Sequence, residues 1–189
     1  MVRGARGART AEAAEERLQA ALEQDGRSVE ALTALEQLQR EPGHDEALVV
    51  TLRKLAALID SGDAMIDRSS SELRREAKAI AAEKLEDAET AEAIVRDMLA
   101  VDDADVWALT ELSAVCETKE NWQELYQLLT RRLELLPEPD LLRELRHQAA
   151  KVAADKLDDE EAAIDLYEQA SEDDARDGEP GGQRRPSAT

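Results

Sequence analysis

Residues 72–91 read ELRREAKAIAAEKLEDAETA, and residues 144–163 read ELRHQAAKVAADKLDDEEAA. At this offset of 72, eleven of the twenty positions are identical. Shared helix-forming composition alone would not keep Lys84/Lys156, Leu85/Leu157 and Asp87/Asp159 in step. A second echo lies at an offset of 77, where LEQDGRSVEALT (22–33) returns as LAVDDADVWALT (99–110). There Leu22, Asp25, Val29, Ala31, Leu32 and Thr33 recur as Leu99, Asp102, Val106, Ala108, Leu109 and Thr110. An internal repeat governs the chain, with a unit of about four helices.

Around these stretches the apolar residues keep helical spacing. Leu18, Ala21 and Leu22 begin one stripe, Val29, Leu32, Leu35 and Leu38 a second, and Leu48, Leu52, Leu55 and Ile59 a third. The pattern continues to Ala163, Leu166, Tyr167 and Ala170 and gives nine helices, because residues three and four apart share a helix face. The breaks have local causes. Pro42-Gly43 and Pro137-Glu138-Pro139-Asp140 stop helices, and Ser61-Gly62-Asp63 reads as a C-cap and turn. Ser69 followed by Glu72 has capping-box spacing ahead of Leu73. Hairpins are expected near 28–60, 71–101, 105–136 and 140–174, preceded by a lone helix over 12–24. The basic segment 1–10 and the aperiodic segment 178–189 are expected to be disordered tails.

Helical hairpins in tandem are the unit of the tetratricopeptide repeat family, and residues 11–174 resemble it. Ala163, Tyr167 and Ala170 have the spacing of that family's small–aromatic–small pattern in the second helix. Trp122 stands where an aromatic opens the second helix, Pro137 where the terminal proline falls, and Ser113 where the first helix usually carries Gly. In the first hairpin Glu36 and Asp45 replace the expected small and aromatic residues, and no hairpin carries the full pattern. The resemblance implies an all-α fold, an α-solenoid of antiparallel hairpins, with the first helix of each hairpin lining a concave groove. Both ends read as cuts through a longer array.

Composition agrees with helices and narrows the function. Hydrophobic residues make up 42% of the 189 residues, mostly Ala and Leu, and β-branched residues are sparse. That hydrophobic share is too high for a disordered acidic tail. The net charge is −20; three Arg and no acid in residues 1–10, and two Arg against Glu179 near the other end, leave −24 on residues 11–178. Such a surface repels phosphate backbones and attracts basic peptides, although an acidic surface also serves solubility alone. A nucleic-acid partner is therefore not expected. Without a signal-like segment or a long apolar run, neither secretion nor a membrane span is expected, and the cytoplasm is the default location.

No catalytic, cofactor or metal constellation emerges. Glu41/His44 and Glu144/His147 have the Glu-x-x-His spacing of carboxylate-bridged di-iron bundles, but Glu41-Pro42-Gly43-His44 sits on a turn. Asp173, Asp177 and Gly178 match three positions of a calcium loop, yet Ala175 and Arg184 fill positions that need acidic ligands. Cys116, the sole cysteine, lies on the stripe of Leu109 and Leu112 and reads as a buried structural thiol. Glycine-rich phosphate loops are absent too, so an enzyme is not expected.

By the resemblance, the groove would present Glu30, Thr33, Gln37, Glu76, Glu83, Lys84, Trp107, Thr110, Glu117, Gln148, Asp155 and Lys156 to a protein or peptide partner. Trp107 is either a groove anchor or packing against the adjacent repeat, and Trp122 is expected to be buried. The competing reading is a spacer or self-assembly segment of a longer helical-repeat protein, with no groove ligand.

Overall fold

The structure, a computed structural model, describes residues 2–136 and 138–177, with side chains described for 13–136 and 138–171. Among these residues there are nine α-helices and no strand, an all-α helical-repeat fold. They are α1 Val2–Gln24, α2 Val29–Gln39, α3 Asp45–Asp60, α4 Ser70–Glu83, α5 Ala88–Val101, α6 Val106–Thr118, α7 Trp122–Leu135, α8 Pro139–Lys156 and α9 Glu160–Asp177. Of the described residues, those up to 103 form one compact unit and those from 104 onward a second. Within each unit every helix packs on its successor.

The helix pairs α2/α3, α4/α5, α6/α7 and α8/α9 cover Val29–Asp60, Ser70–Val101, Val106–Leu135 and Pro139–Asp177. Segment 1–10 does not match the expected tail, because α1 reaches back to Val2. Ala and Arg favour the helix there, and Gly4 and Gly7 cost about 1 kcal/mol each without breaking it as proline would. The expected tail 178–189 lies outside the described residues.

The sequence repeat returns as a repeat of backbone geometry. Glu86 and Asp158, 72 positions apart, both turn left-handed, with φ of 52° and 56°. Asp87 then donates its backbone N–H to the Ala81 carbonyl at 2.9 Å, and Asp159 to that of Ala153 at 3.0 Å. The same two aspartates cap the next helices, Asp87 accepting from the Thr90 N–H at 2.9 Å and Asp159 Oδ1 from Ala162 at 3.0 Å. The side chains buried beneath follow suit: Leu73/Leu145, Ala77/Ala149, Ile80/Val152 and Ala81/Ala153. The shared stretch thus specifies helix, turn, cap and core together, with conservative exchanges at Ile80/Val152 and Glu86/Asp158. At the offset of 77, Ser28 and Asp105 are matching caps, accepting from Ala31 and Ala108.

In the first unit Leu32, Leu48, Leu52, Leu55, Leu73, Ala77 and Ile94 form one apolar cluster. Leu109, Leu112, Leu125, Leu129, Leu145 and Ala149 are buried in the second. Each buried leucine contributes about 1.5–3 kcal/mol relative to exposure. Helix ends are tied down locally. The Ser69 hydroxyl accepts from the Glu72 N–H at 3.1 Å while the Glu72 carboxylate accepts from the Ser69 N–H at 2.7 Å, the reciprocal box expected from the sequence. After α3, Gly62 takes a φ of 77°, which lets the chain turn where a side chain would be strained.

Candidate partner-binding surface

All twelve sequence-selected residues fall on the first helix of a hairpin or at its C-cap: α2, α4, α6 and α8. The first unit holds Glu30, Thr33, Gln37, Glu76, Glu83 and Lys84; the second holds Trp107, Thr110, Glu117, Gln148, Asp155 and Lys156. Glu30, Gln37, Glu83, Thr110, Glu117, Gln148 and Asp155 are exposed, and Thr33 and Trp107 are half-buried. Spacings of three, four and seven put such residues on one helix face.

Thr110 donates its hydroxyl to the Val106 carbonyl at 2.7 Å, and three further residues are engaged with other elements. Lys84 Nζ donates to Asp45 at 2.8 Å, and Lys156 Nζ lies 4.5 Å from the centre of the Trp122 ring. Trp122 is half-buried rather than buried as expected: one face of its ring lies under the lysine of the next hairpin, an exposed side chain that covers it only in part. Glu76 is the third. Arg40 reaches both Glu36 at 2.6 Å and Glu76 at 2.7 Å, while Arg68 reaches Glu36 at 2.8 Å and also pairs with Glu76.

Two carboxylates and two guanidiniums close a ring across α2, the turn after it, the segment before α4, and α4 itself. Burial would raise the Glu76 pKa, but hydrogen bonds from Arg40 and Arg68 outweigh it and hold the carboxyl below its usual range. The Arg40 pKa is raised, first by its bond to Glu76 and then by that to Glu36. Glu36, only 4% exposed, occupies the position that Ser113 takes in the second unit. Its neighbour Gln39, 3% exposed, corresponds likewise to Cys116. Gln39 is satisfied too, donating to Glu15 at 3.3 Å and accepting from the Thr51 hydroxyl at 2.7 Å. The first hairpin, weakest in its family resemblance, carries a hydrogen-bonded polar seam where its counterpart is small or apolar.

In the second unit a recess of about 250 Å³ opens between the ends of α6, α7 and α8. Val106, Leu136, Leu141 and Leu145 give it apolar walls, and Arg132, Glu144 and Gln148 contribute polar groups. Gln148 was selected from the sequence; Arg132 was not. Its legible signal is an arginine three residues after Leu129 and four before Leu136, inside the apolar stripe of α7. On α9, Tyr167 is 41% exposed and meets the His147 ring of α8 at a tilt of 49° with ring centres 5.7 Å apart, between the buried Ala163 and Ala170.

Among the described residues no group of three or more His, Cys, Asp or Glu could hold a metal ion, and no helix is long and apolar enough to cross a membrane. Cys116 is buried, where the sequence placed it.

No family model matches the chain, and no curated protein matches it in sequence. Among solved structures, the crystal structure of MamA protein superimposes with a TM-score of 0.50 at 13% identity, covering 96% of this chain and 92% of that one. A second crystal structure of MamA gives 0.48 at 14% identity, covering 93% and 95%. BtubC (BKLC) from P. vanneervenii gives 0.38 at 14% identity, covering 100% and 98%. At such identities the likeness to MamA concerns the fold alone: this chain is similar to it as a helical-repeat protein.

Proposed function

We propose that this protein is a non-enzymatic interaction scaffold that binds basic segments of another protein, on the exposed faces of α2 and α4 in the first unit and of α6 and α8 in the second. The observation that carries this reading is the exposure of Glu30, Glu83, Glu117 and Asp155 on those helices, in a chain of net charge −20. Unpaired acids on repeated first helices attract a basic chain over a distance of about a Debye length, roughly 8–10 Å at physiological salt. The half-buried Trp107, beside exposed Thr110, then supplies apolar contact area. The helical-repeat fold supports the same reading, since stacked hairpins offer extended surfaces suited to peptides. Location in the cytoplasm belongs to this proposal as well.

Surface plasmon resonance on the partner, recovered by affinity capture, tests the assignment. Trp107→Ala raises the dissociation rate about tenfold or more and leaves the salt dependence unchanged. Unaltered dissociation would remove Trp107 from the site.

A further inference from the structure

The recess at Arg132 has a chemistry that the acidic faces do not share. Acids outnumber Lys and Arg by 44 to 24 in this chain, so carboxylates are not scarce. The partly buried guanidiniums of the first unit use them: Arg40 and Arg68 each bridge Glu36 and Glu76, and Arg74 pairs with Asp60. Arg132 differs. Its Nε is buried with no hydrogen-bond partner, and among the described residues no carboxylate pairs with its guanidinium. Burial alone pulls its pKa down, with no acid to offset the loss of water. A buried N–H left without an acceptor is unfavourable, and the partly buried guanidinium has no acid beside it.

This strained donor borders the apolar walls formed by Val106, Leu136, Leu141 and Leu145, and Leu141 is 49% exposed. The volume, about 250 Å³, is below the range of about 300–1,000 Å³ that holds drug-sized ligands. It suits one or two side chains. Glu144 lies at the rim and is exposed. It does not preclude a second acid, because Arg40 and Arg68 each hold two carboxylates in this same protein.

We propose that the recess is a subsite for a partner peptide in which a glutamate follows a leucine-sized side chain within an otherwise basic segment. The glutamate supplies the carboxylate that the Arg132 guanidinium lacks, and the apolar side chain covers Leu141 and Leu145. Flanking lysines are required because a purely acidic peptide would be repelled by the remainder of the surface. The assignment rests on the scaffold reading and adds to it the sequence that the second unit selects.

The test is an NMR titration of the full chain, following the Arg132 Nε–H and the Leu141 and Leu145 methyl signals. The probes are acetyl-Lys-Leu-Glu-Lys-amide, its Gln counterpart, and 4-methylpentanoate. The Glu peptide moves all three signals saturably and binds about tenfold more tightly than the Gln peptide, as a charge-assisted hydrogen bond requires. In Arg132→Met that discrimination falls below twofold. The variant stays folded by circular dichroism and melts no lower than wild type, because a buried, unpartnered Nε–H has been replaced by an apolar side chain. Equal binding of the two peptides, absence of shifts at the recess, or undiminished discrimination in Arg132→Met would overturn the assignment. Binding of 4-methylpentanoate as tight as that of the Glu peptide would make the occupant a small acid and overturn it too. If Arg132→Met still captures a protein partner with wild-type affinity, the recess assignment alone fails and the scaffold reading stands.

Discussion

Buried polar residues on α2 are tolerated because each one has a partner. Glu36 sits in the same stripe as Leu32 and Leu35, where a small or apolar side chain is the ordinary choice, and two arginines neutralise it. Glu36→Ala therefore costs about 2 kcal/mol, the range for hydrogen bonds to charged groups. A double-mutant cycle with Arg68→Ala, read by urea unfolding, gives a coupling of about 0.5–3 kcal/mol; additivity would remove Arg68 from the ring. Glu76 supplies a pH signature. Its folded-state pKa is depressed, so its contribution is complete above the ordinary glutamate value of about 4.3 and disappears as pH falls through the lower folded value. Wild type and Glu76→Gln should differ in stability at pH 7 and converge in acid. A constant difference down to pH 2 would refute that linkage.

At the scale of elements, the turn after α4 and its counterpart after α8 are the most informative features. Both keep a residue at positive φ that is not glycine, at a cost of about 1–2 kcal/mol each. Glu86→Gly and Asp158→Gly should each raise the free energy of unfolding in urea titrations, by up to about 1 kcal/mol once the entropy of glycine is deducted. Destabilisation at either site would show that the shared turn depends on the acidic side chain itself. The order and type of the elements were legible because Pro42-Gly43, Ser61-Gly62, Ser69/Glu72 and the double proline each act locally, within a few residues. Segment 1–10 was misread as a tail because its Arg residues drew attention to charge, whereas backbone propensity decides its helix. Trp122 was misread because its cover, Lys156, comes from a different hairpin, and a contact across hairpins leaves no mark in local spacing. Arg132 was overlooked for a related reason: a charged residue within an apolar stripe passes for periodic noise until the surrounding helices show that no acid meets it.

At the scale of the molecule, helical hairpins leave nine of the twelve chosen residues exposed, though Lys84 and Lys156 among them, like the half-buried Glu76, are held by internal partners. The acid that remains free, Glu30, Glu83, Glu117 and Asp155, is what the scaffold reading depends on. The decisive measurement is the association rate constant of the captured partner with wild type and with the fourfold Glu/Asp→Lys variant at those positions, over salt from about 20 to 300 mM. If the acidic faces recruit a basic segment, the wild-type rate falls steeply with salt while the variant is slow throughout, and the two converge at high salt, where steering is screened. Equal association rates at every salt concentration would contradict the account.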